Sequence, residues 1–172
     1  MRIGWITLTG IFAFTNATGQ QFSPPRAGGG GGTRLGLFGF GVRTGLDLKG
    51  EGQLVLGTTL DMGDLFSSRV RLRPSAEISV FNGPNTYVAS LESLWRFTKE
   101  EEVATPYAGL GLSLAGRDNC GANPDCPAVW VNLALGVELH YRSTFNWLLE
   151  YHGMDRLRRH RIYVGLTTRR GN

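Results

Sequence analysis

Four polar residues in the last third of the chain are of types that could do hydrolytic chemistry: His140, Ser143, Glu150 and His152. A serine becomes a nucleophile when an imidazole within hydrogen-bond reach takes its proton and a carboxylate orients that imidazole. Here the serine falls in the turn-like "YRST" (141–144), while His140, Glu150 and His152 occupy alternate positions of two extended stretches. Together with Glu138 they read as members of an inward-facing polar network and not as a triad. A second candidate is the basic loop "DRLRRHR" (155–161), in which Arg156, Arg158 and Arg159 could pair with phosphate groups or stay solvated.

The start of the chain bears on the cysteines. Met1 and Arg2 form a basic tip, residues 3–14 are a short apolar run, and Ala17-Thr18-Gly19 offers small residues for cleavage. This reads as a secretory signal peptide over 1–19, too short for a spanning helix, with a buried N-terminal strand as the alternative. Residues 20–33, with Pro24-Pro25 and the Gly28–Gly32 run, then form a flexible leader. That glycine run lacks the Gly-Lys-Ser/Thr ending of a phosphate loop, so no nucleotide is attached to it. Cys120 and Cys126 bracket "CGANPDC", a loop by its Gly, Asn and Pro. Behind a signal peptide, two cysteines this close are expected to form a disulfide. A metal site there would need further ligands, and no nearby His, Asp or Glu completes a usual spacing. No cofactor or metal is expected.

The elements that must position these residues follow from period-2 patterning. The clearest run is "AVWVNLALGVELHYR" (128–142), where Val129, Val131, Leu133, Leu135, Val137, Leu139 and Tyr141 share one face. Ala128, Trp130, Asn132, Ala134, Gly136, Glu138 and His140 share the other. Successive side chains leave a pleated strand on opposite sides, so this is a β-strand. The same alternation sets Phe40, Val42, Leu46 and Leu48 against Arg43, Gly45 and Asp47, and Leu54, Leu56 and Leu60 against Gly57, Thr59 and Asp61. It sets Val70, Leu72, Ile78 and Val80 against Arg71, Arg73, Glu77 and Ser79, and Tyr87, Leu91, Trp95 and Phe97 against Ser90, Glu92 and Arg96. Three further runs, near 107–114, 145–152 and 161–167, bring the expected strands to eight, with no helical periodicity of useful length.

The two faces differ in chemistry. The apolar face carries no charge, whereas the other gathers Arg43, Arg71, Arg73, Arg96 and Arg161 with Asp47, Asp61, Glu77, Glu92, Glu138 and Glu150. Near-equal opposite charges are what a confined interior needs. Among the 18 cations only Lys49 and Lys99 are lysines, and arginine is the cation favoured in buried pairs. Glycines on the same face leave room for long side chains, and Trp95, Phe97, Tyr141, Phe145 and Tyr151 near strand ends suit an interfacial belt. A length of 172 residues suits one domain. A net charge of only +4, with arginines scattered through the strands, argues against a nucleic-acid partner.

The runs "TPYAGLGLSLAG", "VNLALGVELHY", "FNWLLEYHG" and "IYVGLTTR" resemble the small outer-membrane β-barrel proteins of OmpA/OmpX type, over residues 33 to 170. The resemblance implies an all-β, closed, antiparallel, up-and-down transmembrane barrel of eight strands over 34–170, in the bacterial outer membrane. It is expected to be plugged by its own side chains, because eight strands enclose little more than side-chain space. The expected role is non-enzymatic, structural or interactive through external loops. The expected partners are outer-membrane lipid and lipopolysaccharide, whose phosphates the 155–161 loop could meet. Two features depart from the pattern: the chain ends Thr168-Arg169-Arg170-Gly171-Asn172 without a terminal aromatic residue, and Pro74 interrupts a strand, which favours an edge or a bulge. The alternatives are a secreted soluble barrel that binds a small apolar ligand and a barrel enzyme that modifies lipid A. For the latter, "HYRST" lacks the His-x-Ser-Asn pattern of a lipid A deacylase.

Overall fold

Eight strands follow one another along the chain: β1 (Arg34–Asp47), β2 (Gln53–Asp64), β3 (Val70–Val80), β4 (Thr86–Arg96), β5 (Ala104–Arg117), β6 (Ala128–His140), β7 (Phe145–Met154) and β8 (Arg159–Thr168). The computed structural model describes residues 32–49, 52–98, 103–118, 120–121, 126–140 and 144–168. The expected signal peptide, nearly all of the leader, and Tyr141 and Ser143 lie outside these residues. Each strand pairs antiparallel with its neighbours in sequence, and β8 returns to β1, so the sheet closes into a barrel. Closure pairs β1 with β8 from Gly41 to Asp47, and a closed sheet is the condition for strands to lie in a solvent that offers no hydrogen bonds.

The polarity is inverted relative to a soluble barrel. Leu56, Leu91, Leu112, Val131, Leu149 and Val164 point outward and are exposed, while Arg43, Glu77, Glu92, Glu138, Glu150 and Arg161 point inward and are buried. A soluble barrel that binds a small apolar ligand inside requires the reverse, so the burial pattern argues against that alternative. Trp95, Phe97, Phe145 and Trp147 lie outward near the end where the chain enters and leaves, here called the terminal rim. Tyr87 and Tyr151 lie near the opposite end, the far rim.

Pro74 is accommodated by a bulge in its neighbour. The β2–β3 register runs from Thr59↔Ser75 to Asp64↔Arg71, so β2 holds one residue more than β3 across this interval. The missing donor of Pro74 therefore faces an already interrupted ladder. The bulge also shifts the parity of β2, and both Asp61 and Asp64 come to face the interior ion pairs.

The links are short at both rims. Those at the far rim span five, five, ten and four residues, and those at the terminal rim five, seven and four. The ten-residue link, 118–127, is tied by the Cys120–Cys126 disulfide, whose Cα atoms are 5.5 Å apart.

Because Leu135 projects outward midway along β6, Leu135→Arg would set a guanidinium into hydrocarbon. The expected cost is about 2–4 kcal/mol for a site near the bilayer midplane. Urea titration of the protein folded into lipid vesicles measures it, and an unchanged midpoint would contradict the outward assignment.

Candidate functional site: the charged barrel interior

The interior is organised by one alternating chain of ions. Arg159 Nε lies 2.5 Å from Asp47 Oδ2, and Arg161 Nε meets the same oxygen at 2.9 Å. Arg161 continues to Glu77 at 2.6 Å; Glu77 also pairs with Arg43, and Arg43 with Glu150 at 2.9 Å. Glu150 pairs with Arg73, which closes on Glu92 at 2.7 Å. Four arginines thus alternate with four carboxylates drawn from β1, β3, β4, β7 and β8. Two shorter groups stand nearer the terminal rim: Arg71 with Asp61 (3.3 Å) and Glu138 (3.2 Å), and Arg96 with Asp64 (3.8 Å).

The strands supply this geometry through register and glycine. Gly57 pairs with Arg43 on one side and Glu77 on the other, and a Cβ there would press on the Glu77 side chain at 3.0 Å and fill the space up to Arg43. The absence of that carbon lets a β1 guanidinium cross in front of β2 to reach β3. At Gly136 a Cβ would collide with the Tyr107 ring, so that glycine provides the volume for an inward tyrosine.

Neutral groups complete the coordination. The Tyr163 hydroxyl donates to Glu77 at 2.8 Å, Asn132 Nδ2 donates to Glu92 at 3.0 Å, and Arg161 donates to Ser79 Oγ at 3.1 Å. The guanidinium carbon of Arg43 lies 4.6 Å from the Tyr163 ring centre, and that of Arg73 lies 5.6 Å from the Tyr107 ring centre. Such stacking offers a guanidinium face an electron-rich partner after its edge donors are used. Two apolar clusters drawn from β4 to β7 complete the filling, Val88–Ala115–Trp130–Met154 toward the far rim and Leu94–Tyr107–Ala134–Leu148 toward the terminal rim. Hydrocarbon and ions interleave on these strands, with Arg159 set over Trp130 and Arg73 over Tyr107.

His152, wholly buried, joins the ion chain at its Glu92 end: Nε2 is 2.6 Å from Glu150, and Nδ1 faces Glu92 at 3.6 Å. Glu92, Glu150 and His152 bring potential metal-ligating atoms within 4.8 Å of one another. Both carboxylates are already held by Arg73, and Arg43 stands against Glu150 and His152, so guanidinium charge occupies the positions a cation would take. The arrangement is that of an ion-pair cluster. Among the described residues His140 and Glu150 are not brought together: Glu150 is in register with Gly136, four positions along β6 from His140, and Ser143 lies outside the described residues.

Of the residues expected inside, Arg43, Asp47, Asp61, Arg71, Arg73, Glu77, Glu92, Arg96, Glu138, Glu150, His152 and Arg161 stand in these interior pairs. His140 is half-buried at the terminal end of β6, apart from the central chain. One expectation is corrected. Arg159 is not part of a phosphate-facing loop but the first residue of β8, 6 % exposed, paired with Asp47 and set over the Trp130 ring at 5.4 Å. Arg156 and Arg158 do lie exposed in the 155–158 turn. Asp64, Asn132, Tyr163 and Arg159 are interior groups that the sequence reading did not place in the network. For Arg159 a signal existed, since it shares the parity of Arg161 and Tyr163.

No protein-family model matches the chain, and no curated protein matches it. Solved structures do. The N-terminal β-barrel domain of Pseudomonas aeruginosa OprF superposes with a TM-score of 0.58 at 15% identity, over 77% of this chain and 98% of that one. Neisserial surface protein A gives 0.55 at 11% identity, over 76% and 94%. A de novo designed transmembrane β-barrel gives 0.50 at 10% identity, over 77% and 96%. At these identities the likeness shows the fold, and the fold is that of the small eight-stranded outer-membrane barrels.

Removing one member of a buried pair strands its partner's charge, which typically costs about 3–5 kcal/mol, whereas an exposed pair contributes about 0–1 kcal/mol. Glu77→Ala and Arg161→Ala are therefore expected to destabilise far more than Lys49→Ala, whose pairing with Asp155 at 3.7 Å is exposed. Denaturant titration in detergent micelles checks this. Equal small changes for all three would mean that the interior side chains are hydrated by bulk water.

Proposed function

We propose that this protein is a non-enzymatic barrel of the bacterial outer membrane, a closed structural element that meets partners at its rims and carries no solute through its centre. The observation that carries this reading is the inverted polarity: charge is gathered and neutralised inside, while an uncharged apolar band faces out. Eight strands of 10 to 14 residues are long enough for the purpose, since about 9–11 tilted residues cross a bilayer. The alternating chain of arginines and carboxylates, backed by the two apolar clusters, fills the space in which a pore would run.

A lipid A-modifying activity has less support. It would need a nucleophile and base open to a lipid substrate, and His152 is enclosed among Glu92, Glu150 and Arg43. The short far-rim links favour a partner that meets the rim itself over one that grips a long loop.

Fractionation of cells expressing the chain tests the location. The protein is expected in outer-membrane fractions after an alkaline carbonate wash, and soluble and monodisperse only with detergent. A folded, monodisperse protein in plain buffer would overturn the reading. Reconstituted into planar bilayers it is expected to give no sustained conductance, and large stable channels would overturn the filled interior.

A further inference from the structure

The β7–β8 link is built in a way that turn formation alone does not explain. Arg158 N donates to Asp155 O at 3.1 Å, which closes a tight hairpin turn around Arg156 and Leu157. Asp155, Arg156 and Leu157 have φ of 50°, 56° and 63°. A hairpin turn with both central residues in the left-handed region strongly prefers Asn-Gly, because there Cβ crowds the following carbonyl oxygen, which glycine avoids and asparagine offsets by local hydrogen bonding. The chain places an arginine and a leucine there instead, and backbone strain that persists points to use of the side chains it displays.

Leu157, Tyr151 and His160 lie on the outer wall beside this turn, and Arg156 and Arg158 are exposed within it. Leu157 lies over Gly153, where a Cβ would collide with the leucine, so the turn folds back against the outer wall. Beside it His160, exposed on β8, shares a 2.7 Å hydrogen bond with the Tyr151 hydroxyl, the two rings stacked with centroids 6.0 Å apart. Asp155, the one carboxylate in the turn, is paired with Lys49. Arg156 and Arg158 are exposed, and no described carboxylate pairs with either. Directly below, Ile162 and Val164 continue the apolar outer wall.

Resting on the membrane reading above, we propose that Arg156 and Arg158, with the His160–Tyr151 pair, hold the phosphate of a membrane lipid whose acyl chains lie on the wall below Leu157. Charge complementarity selects the ligand class: guanidinium forks match phosphate oxygens, and an imidazole beside a tyrosine hydroxyl adds a further donor. Position selects the source. The patch sits where the strand ends meet the apolar band, the level at which a lipid carries its phosphate.

Native mass spectrometry of the protein released from vesicles of phosphatidylcholine with phosphatidic acid, whose phosphate is a monoester, tests the site. The wild type is expected to retain phosphatidic acid about tenfold over phosphatidylcholine, the factor that one hydrogen bond to a charged group typically confers. Arg156→Ala/Arg158→Ala is expected to lose that preference. Arg69→Ala, an exposed arginine at the terminal rim, is expected to keep it. Three outcomes would overturn the proposal: no preference in the wild type, equal retention by the double variant, or displacement of phosphatidic acid by millimolar inorganic phosphate alone, which would mark a site for free anions. Failure of the wild type to incorporate into the vesicles would instead overturn the membrane reading and the lipid site with it.

Discussion

Every other feature of this barrel answers to one constraint: charges removed from water must find opposite charges in the same enclosure. An isolated ion in a medium of low dielectric costs several kcal/mol even after relaxation, so buried charge survives only when paired and hydrogen-bonded. The alternating run from Arg159 through Asp47, Arg161, Glu77, Arg43, Glu150 and Arg73 to Glu92 meets that condition by sharing, each interior ion touching two of opposite sign. Arginine suits the task because its planar fork can address two carboxylates at once, and lysine, a point charge on a flexible stem, does not. The near-absence of lysine from the sequence is the compositional trace of this geometry.

The rest of the interior is shaped around those forks. Glycine at position 57 lets a guanidinium cross from one strand to the next but one, while tyrosines 107 and 163 pack against guanidinium faces. The hydrocarbon clusters of β4 to β7 occupy volume that would otherwise admit water and screen the pairs. His152 sits where the β4 and β7 carboxylates converge, so it bridges the last two carboxylates of the chain.

The fold was legible in the sequence to an unusual degree because the strands are long and their two faces differ in charge and not merely in hydropathy. A period of two, sustained through Val129 to Leu139 and repeated seven times, fixes strand number, face and architecture with little help from propensity. The membership of the network was legible for the same reason. Its pairings were not, because they are set by the cross-barrel register: nothing local to Arg43 says that it will meet Glu77 on β3 and Glu150 on β7. Asp64 was hidden by the β2 bulge, which breaks the parity that placed Asp61. Arg159 was hidden by composition, since "DRLRRHR" reads as a solvated loop although its fifth residue continues the inward series of Arg161 and Tyr163. Leu94, Leu148 and Met154 share the inward parity of charged neighbours, so hydropathy gives no signal of the face they take.

The seam between the first and last strands has a consequence for assembly. Asp47 on β1 finds its partners on β8, and Arg43 on β1 is shared between β3 and β7. Until the final strands arrive, the first hairpin carries ions whose counter-ions are still at the far end of the chain. On the membrane reading proposed above, a half-built sheet in lipid would hold Asp47 without its β8 partners, which couples neutralisation to ring closure and disfavours partly inserted intermediates.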